Sequence, residues 1–183
     1  MISDELGAFR KDESGFSPAF FLTERVRTVL SKHIDAIEAN TRRFRCVTRI
    51  CVFENSDSPL QAMLVSQPRG MDACPRFLSK PKLFMPLRGQ LVLLRLEFSG
   101  NVLMRELLTP GRHVLSYIDV RLPYIDLPVN DFTTHLEITL GPHDRVSDRN
   151  CPPMPWNIGE QIRKRWCEEQ IQTTLANESG FVP

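Results

Sequence analysis

The sequence predicts an all-β domain, a sandwich or barrel of short strands, with one helix before it and one after. Three observations predict it. Residues 82–98 alternate with a period of two: Val92, Leu94, Leu96 and Phe98 fall on one side and Arg95 and Glu97 on the other. That is the pattern of a strand with one buried face. About eight such short segments lie between residues 44 and 140, separated by Gly, Pro, Asn and Ser turns, a spacing that suits sandwiches and barrels rather than parallel α/β folds. Apolar residues at helical spacing occur only toward the two ends.

In chain order, residues 1–18 mix charges with Gly, Ser and Pro and read as a partly disordered arm. Thr23 is a good N-cap and Glu24 suits the first turn, so residues 23–40 are expected to be an amphipathic helix carrying Val26, Leu30, Ile34 and Ile37, with Asn40 as its stop. His33, on this helix, reads as a surface or boundary residue. Strands are expected at 44–53, rich in β-branched and aromatic residues, and at 60–65. Between 82 and 98 the expectation is a hairpin turning at Arg88-Gly89, where glycine supplies a positive φ. Ser99-Gly100-Asn101 turns the chain into a strand at 102–108. Further strands are expected at 113–120, at 124–127 between Pro123 and Pro128, and at 132–140, which Gly141-Pro142 ends. After a proline-rich connector at 148–155, residues 156–177 place Ile158, Ile162, Trp166 and Leu175 at near-helical spacing. The expected organisation is an arm and helix at 1–42, a β-barrel at 43–150, and a connector and helix at 151–183.

Bulk properties exclude several classes. The chain has 183 residues, 42% of them hydrophobic and 25% charged, which suits one soluble domain with a real core. Its net charge of +1 gives no global field toward nucleic acid or anionic membrane. The cluster Arg42, Arg43, Arg45 and Arg49 reads as a solvated edge strand, so nucleic acid is disfavoured as a partner. No apolar run approaches the roughly 20 residues of a membrane span. Five cysteines, with no CxxC pair and no leader-like opening, are expected to be reduced thiols of a cytoplasmic protein. Cys46 and Cys51 point to opposite strand faces and read as core filling. No P-loop, GxGxxG, HExxH or Ser-His-Asp order is present.

Four segments carry a family resemblance. Residues 57–64, Asp-Ser-Pro-Leu-Gln-Ala-Met-Leu, open the barrel. Residues 80–91, Lys-Pro-Lys-Leu-Phe-Met-Pro-Leu-Arg-Gly-Gln-Leu, follow, then 127–134, Leu-Pro-Val-Asn-Asp-Phe-Thr-Thr, and 137–144, Glu-Ile-Thr-Leu-Gly-Pro-His-Asp. In order and spacing they resemble the WbuC family of cupin-fold metalloproteins. The resemblance spans about residues 43–156. It implies a cupin double-stranded β-helix, a jelly-roll barrel with a ligand pocket in its mouth, where many cupins hold a divalent metal.

The same resemblance places the family's metal ligands on altered residues. Its His-x-His pair falls on Asp72 and Cys74, its glutamate on Lys82 and its last histidine on Thr133. Imidazole nitrogens suit first-row transition metals, and an ammonium in the same cage opposes them. The expectation is therefore a degenerate site, with no metal and no cofactor, in which Lys82 takes the metal's electrostatic role and pairs with Asp72. His135 lies two residues past Thr133, on the same strand face, and His143 belongs either to the pocket mouth or to an ordinary turn. Lys82 reads as a pocket ion pair, a surface lysine or a catalytic amine, and Cys74 as a buried small residue or a reactive thiolate beside Arg76 and Lys80. The pocket expected to bind ligand is thus Asp72, Cys74, Lys82, Thr133, His135 and His143. A small polar ligand follows from the resemblance, a sugar or nucleotide sugar. The alternatives are an assembly module, with a homodimer as one form, and an enzyme working through Lys82 or Cys74.

Overall fold

The structure is a computed structural model that describes residues 4–12, 17–23, 28–53, 55, 57–71, 74–142 and 159–179. After a short 3-10 turn at Asp4–Leu6, ten strands and two α-helices are found among them. In order they are β1 (Arg10–Asp12), β2 (Ala19–Phe21), α1 (Ser31–Phe44), β3 (Thr48–Cys51), β4 (Leu60–Pro68), β5 (Lys82–Arg88), β6 (Leu91–Leu96), β7 (Val102–Leu108), β8 (Ser116–Ile118), β9 (Tyr124–Pro128), β10 (Phe132–Leu140) and α2 (Glu160–Ser179). One sheet has the order β1-β2-β3-β4-β10-β5-β8, the other β7-β6-β9. Every pairing is antiparallel except β2 with β3.

The strand order is that of a jelly roll. Within the large sheet β10 lies between β4 and β5, with β8 beyond. In the small sheet β6 lies between β7 and β9, and Arg76 bridges to Tyr124 on the free side of β9. Counting β4 as first and the Arg76 segment as second, first pairs with eighth, second with seventh, third with sixth and fourth with fifth. The architecture is the all-β jelly roll with a helix at each end that the sequence predicts. Its two sheets face each other without closing into one hydrogen-bonded barrel.

The expected hairpin at 82–98 is not one. β5 pairs with β10 and β8, whereas β6 pairs with β7 and β9. The Arg88-Gly89-Gln90 turn instead carries the chain from one sheet to the other. Gly89 has φ 69°, and an added Cβ would lie 2.8 Å from the Phe132 carbonyl oxygen. Positive φ and close backbone approach are needed at a corner as much as in a hairpin, so glycine alone does not distinguish them. The turn at 97–101 is the true hairpin, joining β6 to β7.

Three further expectations change. The arm carries β1, which pairs with β2 just after it, and Leu6 and Phe9 are buried with Phe20, Ile37 and Ile50, which is why it folds. Helix α1 starts at Ser31, not Thr23, and ends beyond Asn40, at Arg45 in the left-handed region. His33, far from being a surface residue, is buried, and its Nδ1 accepts the Leu30 N–H at 3.1 Å, capping the helix. Arg42 and Arg43 consequently sit in the last turn of α1, stacked on Phe132 and Phe44, rather than on an edge strand. Ile162 of α2 faces solvent, and Cys167 and Ile171 do the packing.

The layers follow from the registers. Val92, Leu94, Ile125 and Leu127 form the outer face of the small sheet and pack with Cys167 and Ile171 of α2. Ile50, Leu64 and Leu136 form the outer face of the large sheet and pack with Ala36 and Ile37 of α1. Between the sheets lie Leu78, Phe84, Leu91, Leu93, Ile118 and Tyr124. No disulfide joins the described cysteines. No described helix is long and apolar enough to cross a membrane.

Candidate functional site: an ion network between the sheets

Alternation on β10 sends Thr133, His135, Glu137 and Thr139 to the inner face. Across the ladder, Glu137 is opposite Phe84 and Thr139 opposite Lys82. The diagonal brings the Lys82 ammonium 2.9 Å from Glu137 Oε2. The other oxygen of Glu137 lies 3.1 Å from His135 Nε2. From the opposite sheet, Tyr124 places its hydroxyl 3.3 Å from Lys82 Nζ. Asp126, two residues along β9, pairs with Arg76 at 3.8 Å. Lys82, Glu137, Asp126, His135 and Tyr124 are each at most 5% exposed, while the Arg76 side chain is 42% exposed at the rim.

Electrostatics hold this group together. Burial alone raises the Glu137 carboxyl, but Lys82 and the His135 hydrogen bond outweigh it and hold it well below its usual range. Burial works against the Lys82 ammonium, yet Glu137 carries it above its ordinary value. Tyr124 is raised, first by burial. Asp126 raises Arg76. Two cations, Lys82 and Arg76, therefore balance two carboxylates, Glu137 and Asp126. His135 Nε2 lies against the carboxylate of Glu137, and neither His135 Nδ1 nor Asp126 Oδ2 has a hydrogen-bond partner among the described residues. The His135 ring lies 5.3 Å from that of Phe84, which meets Tyr124 edge-on.

Of the residues expected to form the site, Lys82 and His135 meet here. Thr133 is buried on the same face, but its hydroxyl donates to the Gln90 carbonyl at 2.8 Å and straps β10 to the corner after Gly89. Cys74 is half-buried two residues before Arg76. Asp72 and His143 lie outside the described residues. The partner of Lys82 within the described structure is Glu137. Sequence reading missed Glu137, Asp126, Tyr124 and Arg76. The available signal was a charge at an inward position of an alternating strand, at Asp126 among Ile125 and Leu127 and at Glu137 among Leu136 and Ile138.

The cupin resemblance implies a divalent metal, and the donor set can be tested for one. Asp126, His135 and Glu137 each offer a ligand atom, with those atoms within 4.8 Å of one another. Both oxygens of Glu137 are already engaged, one by an ammonium. A dication added to a neutral, buried set would leave two uncompensated positive charges beside Lys82. The residues as arranged do not fit a resident metal.

No family model matches the chain, and no curated protein matches its sequence. Solved structures similar in part include oxalate decarboxylase from Bacillus subtilis at pH 4.6, at 14% identity over 55% of this chain and 26% of that one, with a TM-score of 0.44. Procruciferin, an 11S globulin from Brassica napus, matches at 12% identity over 46% and 22%, with a TM-score of 0.38. Fe(II)-HppE with an alternative substrate matches at 13% identity over 45% and 43%, with a TM-score of 0.39. The chain spans between a fifth and a half of these proteins' lengths. All three are cupin-fold proteins.

Proposed function

We propose that this chain is a metal-free cupin-fold assembly module that binds a second copy of itself along the seam between β7 and β8. The observation that carries the reading is the exposed apolar surface of that seam. β7 pairs only with β6 and β8 only with β5 among the described strands, so each has an unpaired edge. Ser116 Oγ bonds Glu106 at 3.0 Å, and Arg95 reaches both Glu106 and the Tyr117 carbonyl, which sets the two edges side by side. Leu103 and Met104 of β7, with Val114, Leu115 and Tyr117 at β8, are each between 45% and 73% exposed. Unpaired strand edges that carry exposed apolar side chains mark association sites. The seam charges Arg95 and Glu106 are paired with each other, and a net charge of +1 offers little repulsion to a second copy.

Light scattering on the full chain tests it. The expected mass is twice 21.0 kDa, and Met104→Lys with Tyr117→Ser is expected to halve it while leaving the far-ultraviolet circular dichroism unchanged. A wild-type monomer at high concentration overturns the reading.

One observation favours a second reading, a small polar ligand. Arg76 holds buried Asp126 from a half-exposed position and keeps donors available to an anionic group arriving from solvent. A thermal-shift screen with sugars and nucleotide sugars tests this, and ligand shifts that Arg76→Gln abolishes are the expected outcome. No shift with any of them removes it.

A further inference from the structure

Two buried polar atoms of the inner network, Asp126 Oδ2 and His135 Nδ1, have no hydrogen-bond partner among the described residues. Buried polar atoms of native proteins are nearly always satisfied, so two orphans in one cluster point to a place suited to a donor or a cation. They belong to two of the three residues whose ligand atoms lie within 4.8 Å of one another. One imidazole with two carboxylates is a donor set for borderline divalent ions such as Zn2+ and Co2+. Among the described residues, the buried cation set against an ion there is the Lys82 ammonium, 2.9 Å from Glu137 Oε2. Arg76 is at the rim, 3.8 Å from Asp126 and partly in solvent.

We propose that Asp126, His135 and Glu137 form a latent divalent-cation site that the ammonium of Lys82 keeps closed. With Lys82 in place the four charges cancel, and a dication would face a like charge in a low-dielectric interior. Without the ammonium the set carries one net negative charge, and an incoming dication takes the place of Lys82 beside Glu137, within reach of Asp126 and His135. Lys82 thereby decides that this cavity is an ion pair and not a metal centre. The seam between β7 and β8 plays no part in it.

The experiment uses the full chain as wild type, Lys82→Met and Lys82→Gln, with Lys82→Gln/Asp126→Asn as the control, each dialysed against Co2+. The wild type is expected to retain no Co2+ above buffer. Lys82→Met and Lys82→Gln are expected to retain one Co2+ per chain, with visible ligand-field bands and a raised melting temperature. The control is expected to lose most of that binding. Lys82→Gln keeps a hydrogen-bond donor near Glu137, so the test survives if Lys82→Met alone fails to fold. Wild-type binding equal to the variants, no binding by either variant, an undiminished control, or unfolding of both variants that Co2+ does not reverse each overturns the proposal.

Discussion

Lys82–Glu137 and Arg69–Glu168 are both cation–carboxylate pairs, yet burial makes them different objects. The first is sealed between the sheets, with both side chains at most 6% exposed. The second ties β4's end to α2, with side chains 33% and 45% exposed. Water screens the outer pair and solvates either partner if the other is removed. Nothing does that for the inner pair, so each of its members is needed chiefly because the other is there. The same contrast runs through the architecture. Apolar clusters under α1 and α2 cover the outer faces of the sheets, while the space between the sheets mixes Phe84 and Tyr124 with charges. Between the sheets an apolar cluster therefore sits beside buried charges that have to balance one another.

Breaking the inner pair on one side has the largest expected effect. Glu137→Leu strands a buried ammonium and is expected to cost about 3–5 kcal/mol in denaturant unfolding. Adding Lys82→Met to it removes the stranded charge and is expected to recover most of that loss. A double variant as unstable as the single one would show that packing, not charge balance, sets the cost. The pair also fixes the acid limb of stability. Unfolded chain takes up a proton on this glutamate near pH 4.5, whereas in the fold Glu137 stays ionised to lower pH. The unfolded state therefore binds more protons there, and stability falls as pH drops below about 4.5. Melting temperature against pH is expected to show a shallower acid limb in the double variant than in wild type.

The apolar shell is the next test. Leu94 is fully buried between β6 and α2, and Leu94→Ala is expected to cost about 2–5 kcal/mol with no rescue by any charge change. Gly89→Ala comes below it. The left-handed conformation costs a non-glycine residue about 1–2 kcal/mol, and the new Cβ meets the Phe132 carbonyl at 2.8 Å. A melting temperature equal to wild type would mean that this corner relaxes freely.

The contrast also explains which parts were legible in sequence. The strand at 132–140 is found where its alternation puts it, because a period of two is a local property. Whether Gly89 turns a hairpin or a corner is not local, since it depends on which strands β5 and β6 find elsewhere. The α1 start was misplaced because Thr23 is a good cap on paper, whereas its hydroxyl is spent on the Ala8 carbonyl and the imidazole of His33 does the capping. Lys82 is buried between the sheets, whereas the segment resemblance pairs it with Asp72. Its partner lies 55 positions away, so only the inward phase of Glu137 on its strand hinted at the pairing.

The smallest expected effect belongs to the outer pair. Arg69 also donates to the Val129 carbonyl, and Glu168 also accepts from Gln172, so neither depends on the other to stay satisfied. Glu168→Gln keeps the shape and removes the charge. It is expected to lower stability by less than about 1 kcal/mol, with the difference from wild type shrinking further as salt is raised. The inner pair is expected to show almost no such salt dependence, because the mobile ions that screen Arg69 cannot enter between the sheets. A salt-independent loss of several kcal/mol on Glu168→Gln would place the hold on α2 in this ion pair rather than in Cys167 and Ile171 beneath it.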